Sequence, residues 1–154
     1  MSASLGNWLA LAVFLALCFG VAYFGAQFAP GEWHAALEKP PWNPPNWVFG
    51  PVWTVLYIMI AVAGWLIWKS APTSAAMGFW VAQLAFNAAW SWLFFGLHRM
   101  DVAFADIILL WLAIVAFIIA AWPISVMAAL LFVPYLIWVS FASALNYSIW
   151  SLNG

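Results

Sequence analysis

A bundle of five membrane-spanning α-helices is the fold this sequence predicts, and three observations predict it. Hydrophobic residues make up 69% of the chain and charged residues 5%, with a mean hydropathy of +1.07, against roughly 25% charged in soluble domains. The apolar residues gather into five runs, each near the ~20 residues a spanning helix needs. Most prolines and nearly all charges fall between those runs. Three basic and four acidic side chains cannot cover the surface of a soluble chain of 154 residues, so lipid must be the main solvent. Helices suit it because they satisfy their own backbone hydrogen bonds, and the short alternating segments of a membrane barrel are not seen. Residues 1–154 read as one domain.

The elements follow in order. Helix 1 runs roughly Asn7–Phe28, helix 2 Trp47–Trp68, helix 3 Met77–Leu97, helix 4 Val102–Trp122 and helix 5 Val126–Trp150. Between them stand Pro30-Gly31-Glu32, Lys69-Ser70-Ala71-Pro72, His98-Arg99-Met100-Asp101 and Trp122-Pro123-Ile124-Ser125. Helix 1 is expected to span rather than to be a cleaved signal, because Met1-Ser2-Ala3-Ser4 carries no basic residue and the run exceeds a signal core. An odd number of spans puts the termini on opposite sides. Lys39 and Arg99 share the C-terminal side against Lys69 on the other, a two-to-one bias that assigns the first loop to the cytoplasm. That loop is long and stiff. Its paired prolines, Pro40-Pro41 and Pro44-Pro45, exclude regular helix from Lys39 up to Asn46, and a rigid aromatic loop over a greasy bundle suggests a lid.

Helical spacing sorts the side chains into faces. Trp80, Gln83, Asn87, Trp90, Ser91 and Phe94 share a face of helix 3. An amide in hydrocarbon is costly, so Gln83 and Asn87 are expected to turn inward. There they either bond another helix or line a cavity, and both readings stand. Trp53, Tyr57, Ala61, Gly64 and Trp68 form a second face, on helix 2, and Pro134, Trp138, Ala142 and Leu145 a third, on helix 5. Converging, the three would enclose an apolar pocket with few polar groups, the usual make-up of a hydrophobic ligand site. Of the fourteen tryptophans, Trp8, Trp68, Trp122 and Trp150 sit at helix ends and suit interfacial anchoring. Trp53, Trp90 and Trp138 suit pocket walls, and flat aromatic walls suit flat ligands such as tetrapyrroles or sterols. Ala12, Ala16 and Gly20 on helix 1, and Ala113, Ala116 and Ala120 on helix 4, are small-residue ridges for packing within the bundle or for a homodimer seam. Pro134 inside helix 5 predicts a kink.

The ionisable groups narrow the function classes. A net charge of −1 offers no footprint for nucleic acid. Cys18, the single cysteine, can form no intrachain disulfide and reads as a packing residue. Asp106, in the first turns of helix 4, reads either as a functional intramembrane carboxylate or as a structural partner of Arg99, while His98, Arg99 and Asp101 form a solvated turn. His34, in the first loop, can approach a ligand, even a haem iron, or simply lie exposed. Two histidines and a cysteine at such separations make no metal site. No nucleophile–base constellation or phosphate-binding glycine loop is present, and no internal repeat or intramembrane charge pathway marks a secondary transporter.

Trp33-His34-Ala35-Ala36-Leu37-Glu38-Lys39-Pro40-Pro41-Trp42-Asn43-Pro44-Pro45 resembles the first-loop signature of the TspO/MBR family of tryptophan-rich sensory proteins and translocator proteins. Pro51-Val52-Trp53-Thr54, Gln83-Leu84-Ala85-Phe86-Asn87, Phe94-Phe95-Gly96 and Pro134-Tyr135-Leu136-Ile137-Trp138 extend the likeness over nearly the whole chain. The resemblance implies a five-helix integral membrane bundle, often dimeric, with no obligatory cofactor. It would bind porphyrins, sterols or benzodiazepine-type drugs under the first loop. Carried over by motif position, Trp42, Trp53, Asn87, Trp138 and Ala142 are pocket residues, to which the faces add Tyr57, Gln83, Trp90 and His34. Trp53 and Trp138 also match tryptophans implicated in light-dependent porphyrin breakdown. The chain departs from the pattern in having His34 where tyrosine is usual, and in having no basic residue after Tyr147 to complete a sterol motif. The expectation is an integral membrane protein that binds porphyrins, with a porphyrin-degrading enzyme and a transporter as alternatives.

Overall fold

The structure is a computed structural model that describes residues 2–28 and 31–154. Pro30, one of the predicted helix breakers, lies outside the described residues. Among the described residues, seven α-helices follow one another: α1 (Ser2–Ala26), α2 (Gly31–Ala36), α3 (Phe49–Ser70), α4 (Ala75–Ser91), α5 (Met100–Ala121), α6 (Val126–Leu131) and α7 (Val133–Asn153). A 3₁₀ turn, Asn46–Val48, leads into α3, and a π turn, Trp92–Gly96, continues α4. Among the described residues, four stretches are long and apolar enough to cross a membrane: Ser4–Ala26, Asn46–Ser70, Met100–Ala121 and Val126–Asn153. The protein is an all-α, multi-pass membrane bundle.

Local chemistry explains the boundaries. Ser74 caps α4 by accepting from the Met77 amide at 3.4 Å, and Ser125 caps α6 by accepting from Ala128 at 3.2 Å. Predicted helix 3 does not stay α to its end. The Leu97 amide reaches back to the Trp92 carbonyl at 2.8 Å and that of Arg99 to Leu93 at 2.9 Å. This widened turn is a form that favours functional sites. Predicted helix 5 is broken in two at Phe132, because Pro134 cannot donate and is tolerated only in a first turn.

The core is sealed most tightly away from the first loop. Gly64 of α3 lets Trp80 of α4 lie against the backbone: a Cβ there would stand 2.6 Å from the indole ring and 3.0 Å from Phe14. Trp80 donates its Nε1–H to the Ile60 carbonyl at 2.9 Å. Phe117 stacks on Phe132 with centroids 4.0 Å apart, among buried Ala121, Ala128 and Ala129. Asn7 and Asn153 sit at opposite ends of the bundle. Trp65 Nε1 donates to the Asn7 carbonyl at 2.7 Å, whereas Asn153 exchanges two hydrogen bonds with the Glu38 backbone in the first loop.

Two expectations need correction. Ala12, Ala16 and Gly20 face outward, and α1 packs inward through Phe14 and Cys18 instead. The ridge therefore does not pack within the bundle. Arg99 pairs with Asp101 at 2.9 Å rather than with Asp106, because the turn brings the nearer carboxylate alongside. Asp106 is 8% exposed and its Oδ2 has no hydrogen-bond partner among the described residues. Trp8, Trp68 and Trp122 are exposed at helix ends, as interfacial anchors should be.

Candidate functional site

At the first-loop end the same helices stand apart around a cavity of about 720 Å³, within the ~300–1,000 Å³ usual for small-molecule sites. Its walls are aromatic. Trp53 and Tyr57 enter from α3, with centroids 5.4 Å apart, and Trp138 enters from α7, edge-on to Trp53 at 6.4 Å. Phe49 packs on Trp138 at 5.6 Å, and Trp90 of α4 stacks on Phe94 of the π turn at 5.0 Å. Val139, Ala142 and Leu145 of α7 complete the far wall, and Phe19, Ala22 and Gly25 of α1 the near one. Phe19, Gly50 and Thr54 line the cavity yet are exposed, so it reaches the lipid-facing surface along the α1–α3 seam.

A hydrogen-bonded chain forms the floor. Tyr57 Oη donates to Asn87 Oδ1, Asn87 Nδ2 donates to Tyr135 Oη, and Tyr135 Oη donates to Gln83 Oε1, each at 2.8 Å. Gln83 Nε2 then donates to the Trp80 carbonyl, also at 2.8 Å. The amides thus satisfy buried polar groups across α3, α4 and α7, as lipid-embedded polar groups require. On the π-turn side Trp90 Nε1 donates to Asn146 Oδ1 at 2.9 Å, and Asn146 Nδ2 donates to the Met100 carbonyl at 3.1 Å. That fixes the Trp90 ring. Trp138 Nε1 has no partner among the described residues, which leaves a donor beside the cavity.

The roof is the first loop. His34 of α2, Asn43 and Asn46 line the cavity there. Lys39 Nζ donates to the His34 carbonyl at 2.6 Å and to that of Leu37 at 3.2 Å, closing the end of α2. Trp33 lies flat on His98, with centroids 4.0 Å apart and planes at 4°, which clamps α2 to the turn before α5. Burial lowers the His34 pKa, and the Lys39 ammonium lowers it further. The imidazole is therefore neutral around pH 7.

Of the residues singled out by sequence, His34, Trp53, Tyr57, Asn87, Trp90, Trp138 and Ala142 line this one cavity. Gln83 and Trp42 do not. Gln83 is 0% exposed and lies beneath Asn87 as a structural link. Trp42 is 45% exposed and packs on Phe141 at 5.6 Å, which in turn packs on Trp138 at 5.5 Å. Tyr135 and Asn146 were not anticipated as parts of the site. Asn146 continues the Trp138–Ala142 spacing by one further turn, a signal that was available. The α1 wall gave none, because α1 is apolar on every side.

The fold and the cavity define a class: an integral, multi-pass α-helical membrane protein with an aromatic internal site roofed by its first loop. The TspO/MBR family profile matches residues 10–151. Protein CrtK of Rhodobacter capsulatus is 39% identical over 146 residues, covering 92% of this chain and 91% of that one. The tryptophan-rich sensory protein of Cereibacter sphaeroides is 41% identical over 147 residues, covering 96% and 93%. The human translocator protein is 39% identical over 139 residues, covering 85% and 82%. The chain belongs to the TspO/MBR family.

Proposed function

We propose that this protein is a five-span, single-domain ligand-binding or sensory protein that takes up porphyrins and similarly flat, largely apolar molecules, sterols or drug-like aromatics among them, under its first loop. In this reading α4 and its π turn make the fifth crossing, 17 residues of α-helix extended by 5 of π. The observation that carries the reading is the cavity itself, with indoles from three helices at right angles or stacked and polar groups at its roof and floor. A flat ring can bury most of its apolar surface against these rings, and Asn43, Asn46 and the water beyond the loop can meet its carboxylates. The names of the relatives, sensory protein and translocator protein, agree with small-molecule recognition in a membrane. Trp53, Tyr57, Asn87, Trp90, Trp138, Ala142 and His34 are the contacts, and Trp42 supports Trp138 through Phe141.

Titration with protoporphyrin, read by tryptophan quenching, tests this. Trp53→Ala and Trp138→Ala should each weaken binding by about tenfold, which is 1.4 kcal/mol. Unchanged affinity in both variants would remove the site from this cavity. The close Trp53–Trp138 pair favours one second reading, oxidation of the bound porphyrin by dioxygen under light. That reading expects a new absorbing product with wild type and none with Trp138→Ala. Equal bleaching in protein-free detergent would dismiss it.

A further inference from the structure

We propose that His34 is an axial ligand to the metal of a metallated tetrapyrrole, so that the cavity prefers an iron-bearing macrocycle to the metal-free one. The proposal rests on the porphyrin reading above and narrows its ligand class.

Imidazole is a natural ligand for iron, and it binds through a neutral ring with an unshared nitrogen lone pair. His34 meets both conditions. Neither ring nitrogen is hydrogen-bonded among the described residues, since the bonds at His34 from Lys39 go to its backbone carbonyl. Its half-buried ring lies edge-on to Phe95 at 5.3 Å and near Phe94 at 6.4 Å, and both phenylalanines also line the cavity. Burial and the neighbouring Lys39 charge favour the neutral form.

The backbone that carries this ring is held at both sides. Lys39 closes α2 at its C-terminal end, and Trp33, the adjacent residue, is stacked on His98. A ligating side chain needs such support to hold its orientation. His34 lines the roof with Asn43 and Asn46, so a macrocycle seated with one face toward the loop would offer its metal to the imidazole. Binding is a lone-pair donation from one imidazole nitrogen to the metal, which releases the water held there in solution; no electron is transferred.

The full-length protein in detergent is titrated separately with iron(III) protoporphyrin IX and with metal-free protoporphyrin IX. Soret absorbance, electron paramagnetic resonance and tryptophan quenching are the readouts. Wild type should give a histidine-ligated iron spectrum and bind the iron macrocycle at least about tenfold tighter than the metal-free one, the lower end of what metal-site disruption costs. His34→Gln, and His34→Phe as the variant that keeps ring packing on Phe95, should lose the spectrum and the preference. Both should still quench with the metal-free macrocycle, losing far less affinity for it than for the iron macrocycle, which also reports a folded cavity. A histidine-type spectrum surviving in both variants would point to His98, the other histidine of the chain, and overturn the proposal. Equal affinity for the iron macrocycle in wild type and variants overturns it too, while metal-free binding leaves the porphyrin reading standing. If neither macrocycle quenches wild type, the porphyrin reading falls and this proposal with it.

Discussion

The two ends of the bundle are built from the same helices and solve opposite problems. Away from the first loop, glycine and alanine let helices touch: Gly64 admits Trp80 against backbone, and Ala61, Ala63, Ala121, Ala128 and Ala129 are fully buried. At the loop end, α3, α4 and α7 project Trp53, Trp90 and Trp138 toward one another, and the rings hold the backbones apart around about 720 Å³. Apolar association gives no net drive between helices in lipid, so close packing and internal hydrogen bonds must hold them. The closed end therefore provides the cohesion that lets the open end stay open. The Tyr57–Asn87–Tyr135–Gln83 chain lies at the border between them.

The largest effect should come from the closed end. Phe117→Ala removes a fully buried ring stacked on Phe132 and should cost about 3–5 kcal/mol. Thermal unfolding in detergent would show it as a large drop in Tm, with porphyrin affinity at low temperature preserved. Equal loss of affinity would mean the two ends are not separable. Gly64→Ala comes next. Its Cβ would stand 2.6 Å from Trp80, whose indole is tied to Ile60 and cannot swing away. Overpacking of this kind costs about 1–3 kcal/mol. A variant as stable as wild type would show that the α3–α4 contact is looser than its geometry.

The border should respond more mildly, in both properties at once. Asn87→Ala leaves Tyr57 and Tyr135 without their shared partner, a loss of about 0.6–2 kcal/mol for a hydrogen bond between membrane helices. Because Asn87 also lines the cavity, the variant should weaken porphyrin binding together with Tm. A fall in one without the other would assign the border wholly to one end.

The sequence made the open end more legible than the closed one. Trp53–Tyr57 and Trp138–Ala142 stand four apart, and Asn87 and Trp90 three apart, so helical periodicity alone turned these pairs to common faces. The open choice for Gln83 and Asn87, helix bond or cavity wall, resolves into both for Asn87 and the bond alone for Gln83. Depth along the helix decides that, and periodicity does not encode depth. The closed end was hidden because alanine and glycine are equally at home facing lipid or facing a neighbour. Ala12, Ala16 and Gly20 look like Ala61 and Gly64 on paper, yet they point outward. Pro134 marked a disturbance in helix 5, but the π turn after Ser91 had no sequence marker. The Trp33–His98 stack joins residues 65 positions apart, a pairing that no spacing rule reaches.

The smallest effect concerns the roof and is read by pH. The folded state lowers the His34 pKa from 6.5, first by burial and then through Lys39. In the window below 6.5 the undocked loop therefore binds more protons than the docked one. Docking is fully favoured above 6.5 and weakens as pH falls toward the lowered value. The other groups packed around α2, Phe94 and Phe95 on the π turn, are apolar. His98 meets Trp33 rather than His34. Hydrogen exchange at the amides of residues 34–37, compared between pH 7.5 and 5.5 after correction for intrinsic rates, should show reduced protection in wild type at the lower pH. His34→Gln should show a smaller loss or none. An equal loss in the variant would take the pH sensitivity away from His34 and leave the roof held by the Trp33 clamp instead of by the neutral ring beneath it.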